Sequence, residues 1–244
     1  MYLSIIIPAY NEERRLEKTL IRIDGYLSLQ KYDYEILVVN DGSRDKTLQI
    51  AETLSKKIKN LKIIDNEKNR GKGFAVRQGL LTAIGEYRLF TDADNSVSIS
   101  QIENFFPYFK QNYDILIASR DVKGSVLSPA QPWQRRALGH IFNLIFKMFI
   151  GIKGIKDSQC GFKIFTKKSI EDILPRCRIN RWSFDAEILA IAQKLGYRIK
   201  EVPVIWKNDK NSRVNFIGMA GALKDLIKIK INLLSGKDEK ISKK

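Results

Sequence analysis

The feature that most constrains this chain is a recurring unit: a short, mostly apolar run that ends on polar or acidic residues and is followed by a helical pattern. Leu3–Ile7, Ile36–Val39 and the pair Ile63-Ile64 are such runs, and Tyr87–Thr91 is a fourth. A strand with no polar alternation has both faces buried, as in a parallel sheet covered by helices on each side. After the first run Leu16, Leu20, Ile23 and Leu27 recur at helical spacing, with Asn11-Glu12-Glu13 read as the cap and acidic first turn. Leu48, Ala51 and Leu54 mark a second helix after Asp41-Gly42-Ser43, and a third is predicted from Gly71-Lys72-Gly73 to about Ala83. The expected class is α/β: a Rossmann-like, mainly parallel sheet flanked by helices. Open sheets of this kind bind ligands beyond the carboxyl ends of their strands, which is where the acids gather.

Beyond a fifth strand at Ile115–Ser119 the rhythm breaks. Residues 120–134 contain Gly124, Pro129 and Pro132 and read as a long mobile loop. Helices are predicted over about 134–150, 184–195 and 216–234, and a strand interrupted by Pro203 over 198–206. The last helix is expected to be amphipathic, with Met219, Leu223, Leu226, Ile227 and Leu234 on one side and Lys224 and Lys228 on another. Residues 237–244 read as a disordered basic tail. The charge is uneven as well: of a net +16, residues 1–104 hold 16 basic and 15 acidic side chains and residues 105–244 hold 27 and 12. The second half is therefore built to face a polyanion, whether nucleic acid, an anionic membrane surface or a phosphorylated substrate.

Several classes are excluded. With 44% apolar and 29% charged residues the chain is neither disordered nor fibrous. No window reaches the roughly 18 apolar residues of a membrane span; the nearest, Ile141 to Ile152, is broken by Asn143 and Lys147. The N-terminus lacks a signal-peptide pattern, so secretion is not expected. Cys160 and Cys177 form neither a disulfide framework nor a zinc spacing and read as reduced, non-catalytic thiols. His140, the only histidine, reads as structural.

Asp92-Ala93-Asp94 puts two carboxylates on one side of a short segment read as extended, close enough to share a divalent cation. Such oxygen donors suit Mg2+ or Mn2+ on a diphosphate. Alone, D-x-D is as well explained by a turn. Asp41 at the second strand end and Pro8-Ala9-Tyr10-Asn11-Glu12 at the first make it part of one polar cleft. Gly71-Lys72-Gly73 is not a dinucleotide loop, because G-x-G-x-x-G needs glycine where Val76 stands.

P-A-Y-N-E, V-V-N-D-G-S, N-x-G-K-G and D-A-D, in this order, resemble family 2 glycosyltransferases of the GT-A fold. The resemblance implies that Pro8, Tyr10, Glu12, Asp41 and Ser43, with Lys72 nearby, line a nucleotide-sugar pocket, and that Asp92 and Asp94 hold the metal on its diphosphate. In the second half, D-S-Q-C-G-F-K-I-F from Asp157 and R-W-S-F-D-A-E from Arg181 resemble the polyprenyl-phosphate group, in particular the dolichyl-phosphate β-glucosyltransferases. The implied partners are a UDP-hexose and a polyprenyl or dolichyl phosphate, with residues 1–119 as the nucleotide-sugar half, 120–215 as the acceptor half and 216–236 as a helix for membrane-surface contact. The implied location is the cytoplasmic face of a membrane, peripheral and without a span.

A lipid monophosphate has a second pKa of about 6, so at neutral pH it can attack without giving a proton to a base. What it needs is cations to hold it against an anionic donor. Arg120, at the end of the fifth strand, and Arg135 and Arg136 are the expected acceptor-phosphate ligands, since guanidinium forks match phosphate oxygens. Asp157 is the candidate catalytic carboxylate beside Asp94. Lys163, Asp185 and Glu187 are further substrate-site candidates, the two acids being too close in sequence to share a helical face. Trp182 and Phe184 read as core or hinge. The alternatives kept open are another donor sugar (GlcNAc or mannose), a soluble or cell-surface glycan acceptor, and a homo-oligomeric state. A nucleic-acid binder is the rival of a different class, but it has no use for acids at successive strand ends.

Overall fold

The computed structural model describes residues 1–128, 149–207 and 216–235, with side chains from residue 224 onward in the last segment. The strands are β1 (Leu3–Ala9), β2 (Tyr34–Asp41), β3 (Leu61–Asn66), β4 (Tyr87–Thr91), β5 (Ile115–Ser119), β6 (Val126–Ser128), β7 (Phe162–Thr166), β8 (Ile199–Pro203) and β9 (Ile205–Lys207). The helices are α1 (Leu16–Leu27), α2 (Thr47–Ser55), α3 (Lys72–Thr82), α4 (Phe106–Phe109), α5 (Lys167–Ile173), α6 (Phe184–Lys194) and α7 (Phe216–Leu234).

Seven strands form one sheet in the order β3-β2-β1-β4-β7-β5-β8, and β6 pairs with β9 in a second. Pairing is parallel throughout except at β7, which runs antiparallel to β4 and β5. The register sets Ile5 beside Ile36 and Leu89, so neighbouring strands turn like residues to the same face. Ile6, Leu37, Val39 and Phe90 pack on one side with Leu80 of α3 and Leu189 of α6. Ile5, Ile7, Ile36, Val38 and Leu89 pack on the other with Leu16 and Leu20 of α1 and Leu54 of α2. Two covered faces are the physical reason for the predominantly apolar runs of β1 and β2. Each such buried aliphatic side chain is worth about 1.5–3 kcal/mol of transfer free energy.

Four expectations are corrected. Asn11-Glu12-Glu13 does not cap α1, which starts at Leu16 with no side-chain cap. Asn11 takes a positive φ of 55°, and the segment instead bonds across to the loop after β2: Asn11 N donates to Ser43 Oγ, Glu12 N to Thr47 Oγ1 and Arg44 N to Asn11 Oδ1. Secondly, the stretch read as loop from 120 contains β6, while residues 129–148 lie outside the described residues, along with the predicted helix there except for its helical end at Phe149 and Ile150. Thirdly, the buried side of α7 is Leu226 and Ile229, whereas Ile227 and Leu234 are exposed; Met219 and Leu223 lie outside the described side chains. Lastly, Trp182 is about half exposed, while Phe184 is core as expected. The tail 237–244 and His140 lie outside the described residues.

The segment that carries β7 comes from the second half of the chain, yet β7 is inserted between β4 and β5 of the first. This insertion brings the D-S-Q-C-G-F-K motif against D-A-D.

Candidate active site

β2, β1 and β4 are neighbours, so the three acid-bearing strand ends form one rim. Past β4 the chain turns at Ala93-Asp94 rather than staying extended: Asn95 N donates to Asp92 O and Asn95 has φ 52°. Ser96 N donates to Asp94 Oδ1 at 2.9 Å. Burial, and then the charge of Asp92, raises the Asp94 carboxyl above its ordinary range. Asp92 is paired with Lys72, Nζ to Oδ1 at 2.6 Å. Burial works against charge on Lys72, but Asp92 and Asp185 outweigh it and hold the ammonium above the usual lysine range.

Gly161 fixes Asp92 from the other side. Its carbonyl accepts from Asp92 N, and a Cβ at 161 would lie 2.0 Å from Asp92 Oδ2. Only glycine leaves the Asp92 carboxylate in this position, which gives the Gly of D-S-Q-C-G-F-K a steric cause. Two residues on, Lys163 is fully buried and donates to Cys160 O and to Asp185 Oδ1, each at 2.6 Å. Lys72 and Lys163 both approach the Phe90 ring, at 5.4 and 5.5 Å. Burial pushes the Asp185 carboxyl up, with Lys163 and Lys72 pulling the other way. Lys72, Asp92, Asp185 and Lys163 thus form an alternating cluster between β4, β7, α3 and α6. The Cys160 thiol beside it is pushed up to about 12 by burial, so it is neutral and unreactive. Both cysteines are free and buried.

The N-x-G-K-G loop is held from two directions. Asp41 accepts from Arg70 N and Gly71 N, both at 2.8 Å, so its carboxylate is spent on shaping that loop. Gly71 has φ 105° and a Cβ there would meet Asn180 O at 2.4 Å, while one on Gly73 would meet Phe184 Cβ at 2.6 Å. The R-W-S-F-D-A-E segment therefore lies directly behind Lys72, and Lys72 Nζ stands 5.5 Å from the Trp182 ring. Glu187 faces away from the rim: its carboxylate accepts from Arg178 N and Ile179 N at 2.7–2.9 Å and anchors that turn.

Of the other predicted residues, Pro8 pairs with Val39 at the end of β1 and Tyr10 follows on the rim, 36% exposed. Glu12 is paired with Arg15 at 2.6 Å, and Ser43 accepts from the Asn11 backbone. Arg120 and Asp157 find each other: Arg120 N, Nε and Nη2 all donate to the Asp157 carboxylate at 2.7–3.0 Å. Burial disfavours charge on Asp157, but Arg120 outweighs it and holds the carboxyl below its ordinary range. The two predicted residues are thus brought together as an ion pair, with the Arg120 side chain partly exposed and Asp157 buried. Arg135 and Arg136 lie outside the described residues.

As a metal site, Asp92 and Asp94 offer hard oxygen donors of the kind Mg2+ and Mn2+ take. The upward push on Asp94 from its neighbour's charge is what a cation between them would relieve, so the pair fits. Among the described residues no third acid, histidine or cysteine joins them; remaining positions would fall to substrate and water.

A Rossmann-like sheet with one antiparallel strand, and a D-x-D at the end of β4, define a GT-A glycosyltransferase. The chain belongs to Glycosyl transferase family 2, whose profile matches residues 4–174. It is 36% identical to a dolichyl-phosphate beta-glucosyltransferase of Trichomonas vaginalis, over 95% of this chain and 73% of the relative. It is also 36% identical to a dolichyl-phosphate beta-glucosyltransferase of Dictyostelium discoideum, over 97% of this chain and 76% of that one. Among solved structures it is similar in fold to glucosyl-3-phosphoglycerate synthase from Mycobacterium tuberculosis in complex with Mn2+, UDP-glucose and phosphoglyceric acid. That match has a TM-score of 0.67 at 14% identity, over 94% of this chain and 78% of that one.

Proposed function

We propose that this glycosyltransferase moves a glucosyl group from UDP-glucose to dolichyl or another polyprenyl phosphate, with inversion, at the cytoplasmic face of a membrane. The observation that carries this reading is the extent of the likeness: 36% identity to enzymes of that name spans 95–97% of the chain, acceptor half included. The geometry is consistent with it, because Gly161 of the acceptor motif abuts Asp92 of the donor motif, while Lys163 pairs with Asp185 and Lys72 with Asp92.

In this mechanism the acceptor phosphate, mostly dianionic above a second pKa of about 6, attacks the anomeric carbon as UDP departs. Asp92 and Asp94 would hold a divalent cation, which would neutralise the charge growing on the leaving diphosphate. Lys72 adds a positive charge at the same strand end, and Asp185 with Lys163 fixes its surroundings. Asp157 serves as a positioning residue: it ties Arg120 and the end of β5 to the segment entering β7. Arg135 and Arg136 are proposed to take the acceptor phosphate, and Tyr10, Glu12 and Ser43 to border the nucleoside.

Among the described residues no helix is long and apolar enough to cross a membrane. Surface attachment would fall to α7, where exposed Ile227, Ile231 and Leu234 alternate with lysines. The test is transfer from a panel of UDP- and GDP-sugars to polyprenyl phosphate or to water-soluble glycans. Label confined to the lipid phase, from UDP-glucose, supports the reading; transfer to a soluble glycan without lipid overturns the acceptor.

A further inference from the structure

We propose that the cavity between α6 and α7 binds the phosphate headgroup of an anionic phospholipid of the bilayer. The cavity holds about 470 Å³ and is walled by Ile191, Ile229 and Leu233, with Arg176, Arg178 and Lys228 around it. Of the predicted site residues only Glu187 borders it, and both its oxygens accept backbone N–H groups of the 178–179 turn.

Arg176 is the telling residue. Only 9% of it is exposed, one Nη donates to the Asp172 carbonyl, and its buried Nε has no hydrogen-bond partner among the described residues. A buried donor of this kind calls for an acceptor, and a guanidinium is shaped for phosphate oxygens. The Arg178 guanidinium donates to the carbonyls of Pro175 and Cys177 and shares its charge with Glu187 on the cavity wall, whose own oxygens are already taken by backbone N–H groups. The apolar walls exclude a free, fully hydrated phosphate as the natural occupant and favour one attached to an apolar body.

What covers the cavity is indicated by α7 itself. Ile227, Ile231 and Leu234 on this helix are 49, 58 and 76% exposed, beside Lys228. A helix with outward apolar side chains and lysines, in the half of the chain with 27 basic against 12 acidic residues, suits the headgroup layer of an anionic bilayer. This inference rests on the reading that the enzyme works at a membrane surface, but not on its donor or acceptor.

The test is calorimetric titration of the full chain, without donor sugar, with dihexanoyl phosphatidic acid below its micelle concentration. Dihexanoyl phosphatidylcholine, inorganic phosphate and farnesyl phosphate serve as comparison arms. Binding of phosphatidic acid, weakened about fivefold by R178Q and by K228Q, is expected. R176Q should weaken it at least as much; should that variant fail to fold, the two exposed cations carry the test. Equal binding of phosphatidylcholine or inorganic phosphate, farnesyl phosphate binding that R178Q and K228Q weaken as much as that of phosphatidic acid, or unchanged phosphatidic acid affinity in R178Q and K228Q, would overturn the assignment; farnesyl phosphate binding that both variants leave unchanged belongs to the acceptor site. Because sugar transfer is not measured, a failure here is distinct from a failure of the proposed reaction.

Discussion

Asp94 is half-buried and Asp157 buried, yet their surroundings push them in opposite directions and give them different work. Asp94 has a like charge beside it and fits a cation. Replacing it with Asn should lower transfer on the order of 10²-fold or more while leaving thermal stability unchanged, as measured by labelled transfer and by calorimetric unfolding. Asp157 has Arg120 on it. Asp157→Asn leaves a largely buried guanidinium uncompensated and should cost about 3–5 kcal/mol in urea unfolding. Because the folded Asp157 carboxyl lies below its ordinary 3.8, the stabilisation is full above that pH and is lost as pH falls further, through the folded value. The difference between wild type and variant should therefore shrink below about pH 3.8; a difference that persists undiminished in strong acid would refute the assignment of the ion pair. Residue types were legible in the sequence here, and partners were not: nothing in the spacing of Arg120 and Asp157 announces that they neutralise each other.

At the scale of elements, β1 and β2 could be read because burial on both faces leaves a nearly unbroken apolar run. β7 could not, because Phe162-Lys163-Ile164-Phe165 carries a lysine in its middle that becomes apolar in effect only through Asp185, 22 residues away. That strand is what joins the acceptor motif to Asp92. The start of α1 was misread for a related reason: Asn11 and Glu13 spend their polar groups on the loop after β2 instead of on their own helix. The glycines of both motifs proved to be packing residues. Gly71→Ala, forced into a glycine-only conformation against Asn180 O, should cost about 1–3 kcal/mol and weaken UDP binding by displacing the Lys72 loop. Gly161→Ala should abolish transfer with the Asp92 carboxylate moved. Normal UDP affinity in the first variant or normal transfer in the second would contradict the close approaches described.

For the whole molecule, the fold class, the polar rim at the strand ends and the family were all present in the order of four short motifs. The charge asymmetry pointed to an anionic partner without naming it. The surface proposed to meet a membrane was the least legible part, since the exposed face of α7 depends on which residues the core claims. Leu226 and Ile229 are claimed; Ile227, Ile231 and Leu234 are not. Substituting those three with Gln should leave unfolding temperature and UDP binding intact while reducing sedimentation with anionic vesicles severalfold, an effect deletion of the helix could not isolate. The central claim is tested most directly by incubating the chain with labelled UDP-glucose and dolichyl phosphate, with and without Mn2+, and counting the organic phase. Metal-dependent label in the lipid, lost in Asp94→Asn, is the predicted result; UDP-glucose that binds but labels no lipid in the presence of Mn2+ would contradict the account.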